Sequence, residues 1–358
     1  MSAIAKIVVK VGTNVIARKD GLLNITNISH LVDQIAALKR EGHAVILVSS
    51  GAVGAGRSMI AVPDDLSKVV RRQVLSAIGQ VRLMELYRQL FANHQLFCAQ
   101  VLATKDDFKG RQHYINMKNC FQALLRDQVV PVVNENDVVS VSELMFTDND
   151  ELAGLVAAMV NADKLIILSS VDGVLDGHPD KPESQVVAEI HPDDKQILQL
   201  ISPSKSSFGR GGMMTKLRIA QKAAKVGIDT YIANGNRPNV LLEVMAGRGL
   251  FTRFVATEKI SDFKKWMAYN FEANKGAVKI NEGAEQALRS SISSLLPVGI
   301  LEVDGEFEKG DIIRILNAQG QAIGQGIAQY QAATARQYAG QKNQKPLIHY
   351  DYLFMEKG

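Results

Sequence analysis

The sequence predicts an α/β protein with a three-layer, open, mostly parallel sheet that has helices on both faces, followed by a small, mostly β domain. Short β-rich runs alternate with amphipathic helices as far as about residue 254. From residue 277 the helical signal becomes sparse, and short β-like runs with turn glycines dominate. The length of 358 residues also favours two domains over one.

The elements of the first domain follow in a regular order. A strand is predicted at Lys6–Val11, and apolar residues at the helical period predict a helix from residue 28, with Asn27 as its candidate N-cap. Further strands are predicted at residues 44–48, 97–102, 129–133, 164–168 and 230–233. Further helices are predicted at residues 68–92, 114–126, 151–160 and 214–226.

The second domain is predicted from a change of pattern. We expect residues 1–256 to form the first domain and residues 257–276, which contain the only tryptophan, Trp266, to connect it to the second. The second domain then covers residues 277–358. Its β-like runs are at residues 277–280, 299–303, 311–316 and 320–326.

Composition limits the classes of function. The formal net charge of +4 does not demand a nucleic-acid partner, and it suits an enzyme that handles anionic substrates. The two cysteines, Cys98 and Cys120, form no metal-ligand pattern and are expected to be buried free thiols. No apolar run approaches the ~20 residues that span a bilayer, and no secretory signal pattern is visible, so we expect a cytoplasmic protein without membrane contact.

Polar and glycine-rich segments follow the predicted strands. Ligands of open α/β sheets bind beyond the carboxyl ends of the strands, so these segments are expected to meet at one edge. Each segment has an ordinary explanation of its own, such as a solvated lysine, a tight turn or a helix N-cap, but one shared site explains all of them together. The segments are residues 10–13, 49–56, 134–137, 148–150, 169–173 and 209–216.

The last of these segments indicates a phosphate site. It reads GRGGMMTK, opens a predicted helix, and places Lys216 one turn into that helix. Backbone N–H groups at a helix N-terminus, next to a lysine, bind phosphate well.

These motifs together resemble the amino-acid kinase family. The resemblance rests on KVGTNV, SSGAVGAG, the pair NEND and DND, and GGMMTK. The stretch INEGAEQALRSSISSLLPVGILEVDGEFEKGDIIRI is similar to a PUA domain, which is named for RNA-modifying enzymes. The resemblance implies transfer of the terminal phosphate of ATP, accompanied by Mg²⁺, to the side-chain carboxylate of L-glutamate in proline biosynthesis.

The resemblance also implies residue roles. Lys10 and Lys216 would surround the transferring phosphoryl group with positive charge, and Asp150 would orient both lysines. The glutamate-binding residues would be Ser50, Gly51, Asp137, Asp148 and Asn149. The ATP-binding residues would be Lys10, Gly12, Ser169, Ser170, Arg210, Gly211, Gly212, Met213, Met214, Thr215 and Lys216. No metal-ligand spacing is visible.

The sequence departs from the family pattern in three places. Ser169 and Ser170 stand where Thr-Asp is usual, and Arg210 stands where threonine is frequent. Both changes fall on the expected nucleotide pocket, so nucleotide affinity and base contacts are expected to differ there. Asn14 stands where serine is frequent.

Other functions remain as alternatives. A sister kinase would act on aspartate, N-acetylglutamate, carbamate or a nucleoside monophosphate, but the NEND motif and the PUA-like tail argue against it. A dinucleotide oxidoreductase would need G-x-G-x-x-G after the first strand, where Gly12 stands alone, and no P-loop motif occurs. RNA binding through the PUA-like region is disfavoured because that region has no dense basic patch with interleaved aromatic residues. The family further implies a homo-oligomer, a dimer or tetramer, and proline as a feedback inhibitor.

Overall fold

A computed structural model describes residues 3–63, 65–109, 111–139, 149–177, 183–192, 194, 212–258, 265, 274–290 and 293–355. The chain divides into two compact units, Met1–Lys259 and Ile260–Gly358. Most of the predicted connection at residues 257–276 lies outside the described residues, so its bounds stay a prediction.

The first unit is built on a mostly parallel sheet. Its described strands have the order β3-β4-β2-β1-β5-β7-β8-β6, and β7 pairs with β8 in the antiparallel direction. The strands are β1 (Lys6–Val11), β2 (Ala44–Ser49), β3 (Cys98–Ala103), β4 (Val130–Glu135), β5 (Lys164–Ser169), β6 (Glu189–Ile190), β7 (Asp229–Asn234) and β8 (Phe251–Phe254). The predicted α/β fold class is thereby confirmed, and β1 lies between β2 and β5, where ligand sites of such sheets form.

Helices of this unit connect the strands. Their described members are α1 (Thr13–Ile16), α2 (Ile25–Arg40), α3 (Ala52–Arg57), α4 (Lys68–Ala92), α5 (Lys105–Lys109), α6 (Arg111–Arg126), α7 (Asn149–Met159), α8 (Met213–Lys225) and α9 (Val240–Met245). The prediction of Asn27 as the N-cap of α2 is wrong. The cap is Asn24, whose side chain accepts a hydrogen bond from the Asn27 backbone N–H. The first turn is largely exposed, so hydrophobic periodicity did not reveal it.

The glycine-rich segment after β2 folds as a short helix, α3. Gly51 begins it with a φ of 108°, a value that favours glycine. A Cβ on Gly56 would lie 2.0 Å from the carbonyl oxygen of Leu75, and one on Gly79 would lie 1.8 Å from that of Ala52. These glycines therefore allow α3 and α4 to touch backbone to backbone.

Side chains of β1 alternate between the two faces of the sheet. Ile7, Val9 and Val11 are buried in a core cluster that includes apolar residues of α2 and α4. The strand period of two places Lys10 on the opposite face, which α7 covers. Helix α8 packs against α7 and β5. A charged side chain is thus inserted between the middle of the sheet and a helix layer.

The second unit contains a separate sheet with its own core. Its described strands have the order β10-β9-β11-β12-β13, and only the β9–β11 pair is parallel. The core includes Val278, Ile313 and Ile348. The elements are β9 (Gly276–Ile280), α10 (Glu282–Ser290), β10 (Ile300–Gly305), β11 (Ile312–Leu316), β12 (Ala322–Ile327), α11 (Ala332–Tyr338) and β13 (Leu353–Met355). The prediction of a mostly β second domain is confirmed.

The expectation of two buried thiols is wrong in part. Both cysteines are free, but Cys120 is exposed on α6 and Cys98 is half-buried on β3. In the described part of the chain, no helix is both long and apolar enough to cross a membrane.

Candidate active site

Two lysines share one buried carboxylate at the centre of the sheet edge. Lys10 Nζ lies 2.5 Å from Asp150 Oδ1, and Lys216 Nζ lies 2.7 Å from Asp150 Oδ2. Lys10 is brought there by β1, Asp150 by the first turn of α7, and Lys216 by the first turn of α8. All three side chains are buried, so this cluster (the Lys–Asp–Lys cluster) carries a net charge of +1 shielded from water.

Charge pairing decides the protonation state of Asp150. Burial by itself would raise the pKa of this carboxyl, but the ammonium groups of Lys10 and Lys216 outweigh that effect and hold the pKa at about 2. Asp150 is therefore ionised at neutral pH. It cannot serve as a general base for a reaction near pH 7, and its two carboxylate oxygens each contact one lysine.

Two helix N-termini beside the cluster lack side-chain caps. Gly12 precedes α1 and Gly212 precedes α8, and neither end has a side-chain capping hydrogen bond. A Cβ on Gly12 would lie 3.4 Å from Lys10 Nζ and 3.5 Å from the Leu168 carbonyl oxygen. Glycine thus keeps space open next to the Lys10 ammonium, where an anion would be favoured.

Ser50 and Asn149 begin a chain of side-chain hydrogen bonds that leads away from Asp150. Asn149 Nδ2 donates to Ser50 Oγ at 2.9 Å and to Asn134 Oδ1 at 3.0 Å. Asn134 Nδ2 donates to Gln80 Oε1 on α4 at 2.9 Å. We call this set, Ser50–Asn149–Asn134–Gln80, the amide chain. It joins the carboxyl ends of β2 and β4 to α4 and α7.

Asp137 lies in a second charged cluster. Arg72 contacts Asp137 Oδ1 at 2.5 Å and Glu135 Oε2 at 3.1 Å, and Ser76 Oγ donates to Asp137 Oδ2 at 2.7 Å. Both carboxylates are buried, and they face one guanidinium group. We call this set, Arg72, Ser76, Glu135 and Asp137, the acidic cluster; its carboxylates suit a cationic group of a ligand.

Sequence reasoning missed the contribution of α4. Arg72, Ser76 and Gln80 are spaced four residues apart, so they share one helix face, and all three contact residues 134–137 at the end of β4 and just beyond it. Further along the helix, the Tyr87 hydroxyl lies 2.8 Å from Ser49 Oγ. The regular polar spacing inside an otherwise amphipathic helix was visible in the sequence and would have been the signal.

The end of β5 and the loop after it carry the predicted nucleotide contacts Ser169 and Ser170. This loop is attached to the loop after β7 by Arg237, which makes two hydrogen bonds to Asp172 of 2.6 and 2.7 Å. The hydrogen bonds from Arg237 and Asn234 lower the pKa of Asp172, and Asn234 donates to it at 2.9 Å. The two loops are thus fixed to each other beside Gly12.

The predicted site residues fall into several groups. The structure brings Lys10, Asp150 and Lys216 into direct contact, and it places Ser50 and Asn149 in another hydrogen-bonded set. Asp137 belongs to the acidic cluster. Gly212, Met213, Met214 and Thr215 lie at the start of α8. Asp148, Arg210 and Gly211 lie outside the described residues.

The acidic residues of the site do not form a cage for Mg²⁺. Across the described ranges, no group of three or more His, Cys, Asp or Glu side chains could hold a metal ion. Asp150 is paired with two lysines, and Glu135 and Asp137 are paired with Arg72. We therefore assign no protein ligand to Mg²⁺, and no chemical step below depends on it.

Fold and site together define the class of protein. The pattern of the amino acid kinase family matches residues 5–234, and that of the PUA domain matches residues 276–350. A carbamate kinase from Giardia lamblia has the same fold over 72% of this chain and all of its own, with a TM-score of 0.52 and 21% identity. A UMP kinase from Ureaplasma parvum, at 17% identity, gives a TM-score of 0.51. The chain belongs to the amino acid kinase family, as its motifs predicted, and carries a C-terminal PUA domain.

Within that family, the chain belongs with the glutamate 5-kinases. It is 49% identical to the glutamate 5-kinase of Bacteroides thetaiotaomicron over 98% of both chains. It is 49% identical to that of Chlorobaculum tepidum, over 98% of this chain and 97% of the relative. Identity to a Salmonella newport glutamate 5-kinase is 37% over 98% of this chain.

Proposed function

We propose that the protein transfers the terminal phosphoryl group of ATP to the side-chain carboxylate of L-glutamate, giving L-glutamyl 5-phosphate, as the first step of proline biosynthesis. The observation that carries this proposal is the buried Lys–Asp–Lys cluster with its net charge of +1. The family membership supports the use of ATP, and the relatives' names support glutamate as the acceptor.

The chemistry needs positive charge more than it needs a base. A carboxylate is already ionised near pH 7, so no side chain has to remove a proton before it attacks phosphorus. The transition state spreads negative charge over the phosphoryl oxygens, which two fixed ammonium groups stabilise in a site shielded from water. Lys10 and Lys216 supply those groups, and Asp150 holds them at fixed positions without neutralising both.

Binding of glutamate is assigned to the groups beyond the Lys–Asp–Lys cluster. The Asp137 carboxylate of the acidic cluster, held by Arg72 and Ser76, fits the α-ammonium group. We expect Ser50, Gly51 and Asn149 to contact the substrate between that cluster and Asp150, because Asn149 is hydrogen-bonded to Ser50 and adjoins Asp150 in α7. Aspartate is one methylene group shorter than glutamate, so we expect it to bridge the two clusters less well.

ATP binding is assigned to the two uncapped helix N-termini and the loop after β5. Gly12 and the first turn of α8, from Gly212 to Lys216, would face the phosphates, and Ser169 and Ser170 would lie nearer the base. Arg210 and Gly211 belong to the same proposal by their place in the sequence. Mg²⁺ would be carried on the phosphate oxygens of ATP and water.

The test is an ATP-dependent hydroxamate assay with glutamate, aspartate and N-acetylglutamate as acceptors. Hydroxylamine traps the acyl phosphate, so a glutamyl hydroxamate reports the transfer directly. We expect product with glutamate, much less with aspartate, and none with N-acetylglutamate, whose ammonium charge is absent. Product with aspartate but none with glutamate would reject the proposed substrate.

A further inference from the structure

The amide chain ends in a buried donor that the protein itself does not use. Gln80 is only 8% exposed, and its Nε2 has no hydrogen-bond partner among the described residues. A buried amide donor without a partner costs free energy, on the order of 1–3 kcal/mol. Next to a binding site, a hydrogen-bond acceptor on the bound ligand would satisfy such a donor.

The orientation of the Gln80 amide follows from backbone groups. The Glu135 backbone N–H donates to one terminal atom of Asn134, so that atom must be Oδ1. The other terminal atom, Nδ2, therefore points to Gln80 and must meet its Oε1 at 2.9 Å. The remaining atom of Gln80 is then the NH₂ group, and exchanging its O and N assignment would place two donors face to face.

The same reasoning fixes the other end of the amide chain. Asn149 donates to the backbone carbonyl of Ser49, so its bonding atom is Nδ2, and this atom also donates to Ser50 Oγ. Ser50 Oγ thus accepts a bond and retains its own O–H as a donor. Both ends of the chain present donors, which is the pattern that recognises an anionic acceptor such as a carboxylate.

The position of Gln80 decides which carboxylate it meets. Ser76, one turn earlier on the same face of α4, holds Asp137, and residues four apart on a helix have Cβ atoms roughly 5–6 Å apart. Asp137 is the group assigned to the α-ammonium. The α-carboxylate is bonded to the same carbon as the ammonium, whereas the side-chain carboxylate must reach the Lys–Asp–Lys cluster.

We propose that Gln80 is a further substrate-recognition residue, whose Nε2 group donates a hydrogen bond to the α-carboxylate of the amino-acid substrate. This proposal rests on the proposed glutamate kinase function. Asp137, held by Ser76 of α4, then binds the α-ammonium group, and Gln80, one turn further along α4, binds the α-carboxylate. Lys10 and Lys216 contact the side-chain carboxylate that accepts the phosphoryl group.

Three variants of the full-length protein test the role of Gln80. Gln80→Met keeps the size and removes both polar atoms. We expect it to raise KM for glutamate about 10- to 100-fold, the range for a hydrogen bond to a charged group, and to leave KM for ATP within about threefold. Gln89→Met, at an exposed position of the same helix, is the matched control and should change neither constant.

The decisive variant is Gln80→Glu, because it keeps an oxygen that accepts from Asn134 but replaces the donor with a second acceptor. If Gln80 only positions Asn134, this variant keeps the KM of the wild type, and the proposal is wrong. If Gln80 donates to the substrate, KM for glutamate rises at least as much as in Gln80→Met. Thermal unfolding of both variants within a few degrees of the wild type shows that the fold is intact.

A ligand without the α-carboxylate locates the contact. 4-Aminobutanoate keeps the ammonium and the carboxylate at the phosphoryl end, so its inhibition constant against glutamate should change little in Gln80→Met. An increase equal to the increase in KM for glutamate would place Gln80 elsewhere in the site. If the wild type phosphorylates a different amino acid, the proposed function fails, and the comparison of KM for that amino acid still decides the role of Gln80.

Discussion

At the scale of single residues, the site depends on an imbalance of charge. Asp150 can neutralise only one of the two ammonium groups that contact it, so one positive charge stays buried at the end of β1. The structure tolerates this charge because the carboxylate touches both lysines at once. An anionic phosphoryl group would neutralise the remaining positive charge. The cluster is therefore expected to stabilise the negatively charged transition state.

The first prediction concerns Lys216→Ala. The remaining Lys10–Asp150 pair is neutral, so the fold should be retained, whereas kcat should fall by about 10²–10³-fold because a charge that stabilises the transition state is lost. The hydroxamate assay measures kcat, and thermal unfolding checks the fold. Lys225→Ala, at an exposed position of α8, is the control. A rate near that of the wild type would remove Lys216 from the mechanism.

The second prediction concerns Asp150→Asn. This change leaves two buried ammonium groups without a counter-charge, so it should lower the free energy of unfolding by about 3–5 kcal/mol as well as activity. Urea denaturation measures the loss. We expect Asp150→Asn to be less stable than Lys216→Ala, because only Asp150→Asn leaves two buried ammonium groups without a counter-charge. Equal stability of the two variants would contradict this explanation.

The third prediction is the acid dependence of stability. The pKa of Asp150 is about 2 in the folded protein, below its ordinary value of 3.8, so between these values the unfolded state binds more protons. The contribution of Asp150 is therefore complete above pH 3.8 and is lost as the pH falls towards 2. Urea denaturation as a function of pH should show that the free energy of unfolding falls more steeply below pH 3.8 in the wild type than in Asp150→Asn. Parallel curves for the two proteins would contradict the lowered pKa of Asp150.

At the scale of elements, the crossing of α3 and α4 positions the side of the site to which we assign glutamate. Gly56 and Gly79 allow the two helix backbones to touch, which brings the Arg72–Ser76–Gln80 face of α4 against residues 134–137 at the end of β4. Gly51, in the left-handed region, turns the chain from β2 into α3 and places Ser50 at the same point. The glycines of this segment serve helix packing as well as ligand access.

The fourth prediction concerns Gly79→Ala. The added Cβ would lie 1.8 Å from the Ala52 carbonyl oxygen and 2.3 Å from the Gly56 nitrogen, so α4 must move away from α3. We expect a loss of about 2 kcal/mol or more in the stability of the first unit, and an increased KM for glutamate. Urea denaturation measures the stability of the variant, and the hydroxamate assay measures its KM for glutamate.

Gly283→Ala provides the contrast. Gly283 lies in helix α10 of the second unit, and the nearest atom to its added Cβ would be Asn281 Oδ1, at 3.6 Å. Alanine favours a helix over glycine, so this change should be neutral or stabilising by up to about 1 kcal/mol. A similar loss of stability in both variants would show that close packing is not the cause.

At the scale of the whole molecule, the order of the strands assembles the site. β1 lies between β2 and β5, and the backbone N–H groups of Ser50 and Gly12 donate to carbonyl groups at neighbouring strand ends, both at 3.3 Å. Residues distant in sequence, from Lys10 to Lys216, therefore meet at one edge. All of the described site residues belong to the first unit, and the second unit has a core of its own.

The fifth prediction follows from this division. A protein truncated to residues 1–259 should fold and keep ATP-dependent phosphorylation of glutamate, because it contains the Lys–Asp–Lys cluster, the amide chain and the acidic cluster. Circular dichroism and the hydroxamate assay test it. A folded but inactive fragment would show that the second unit contributes to catalysis. The predicted dimer or tetramer and inhibition by proline stay predictions, which light scattering and the same assay with added proline would address.

The sequence by itself determined the α/β class, the position of most elements, the family and the residues of the Lys–Asp–Lys cluster. Local periodicity and short motifs carry this information because they depend on neighbouring residues. Lys68–Ala92 was predicted to the residue, for example. Tertiary structure alone decided that the glycine segment after β2 is a helix, that Asp137 is shared with Arg72, and that Gln80 ends the amide chain with a free donor. These features arise from contacts between distant segments, whose geometry no local pattern encodes.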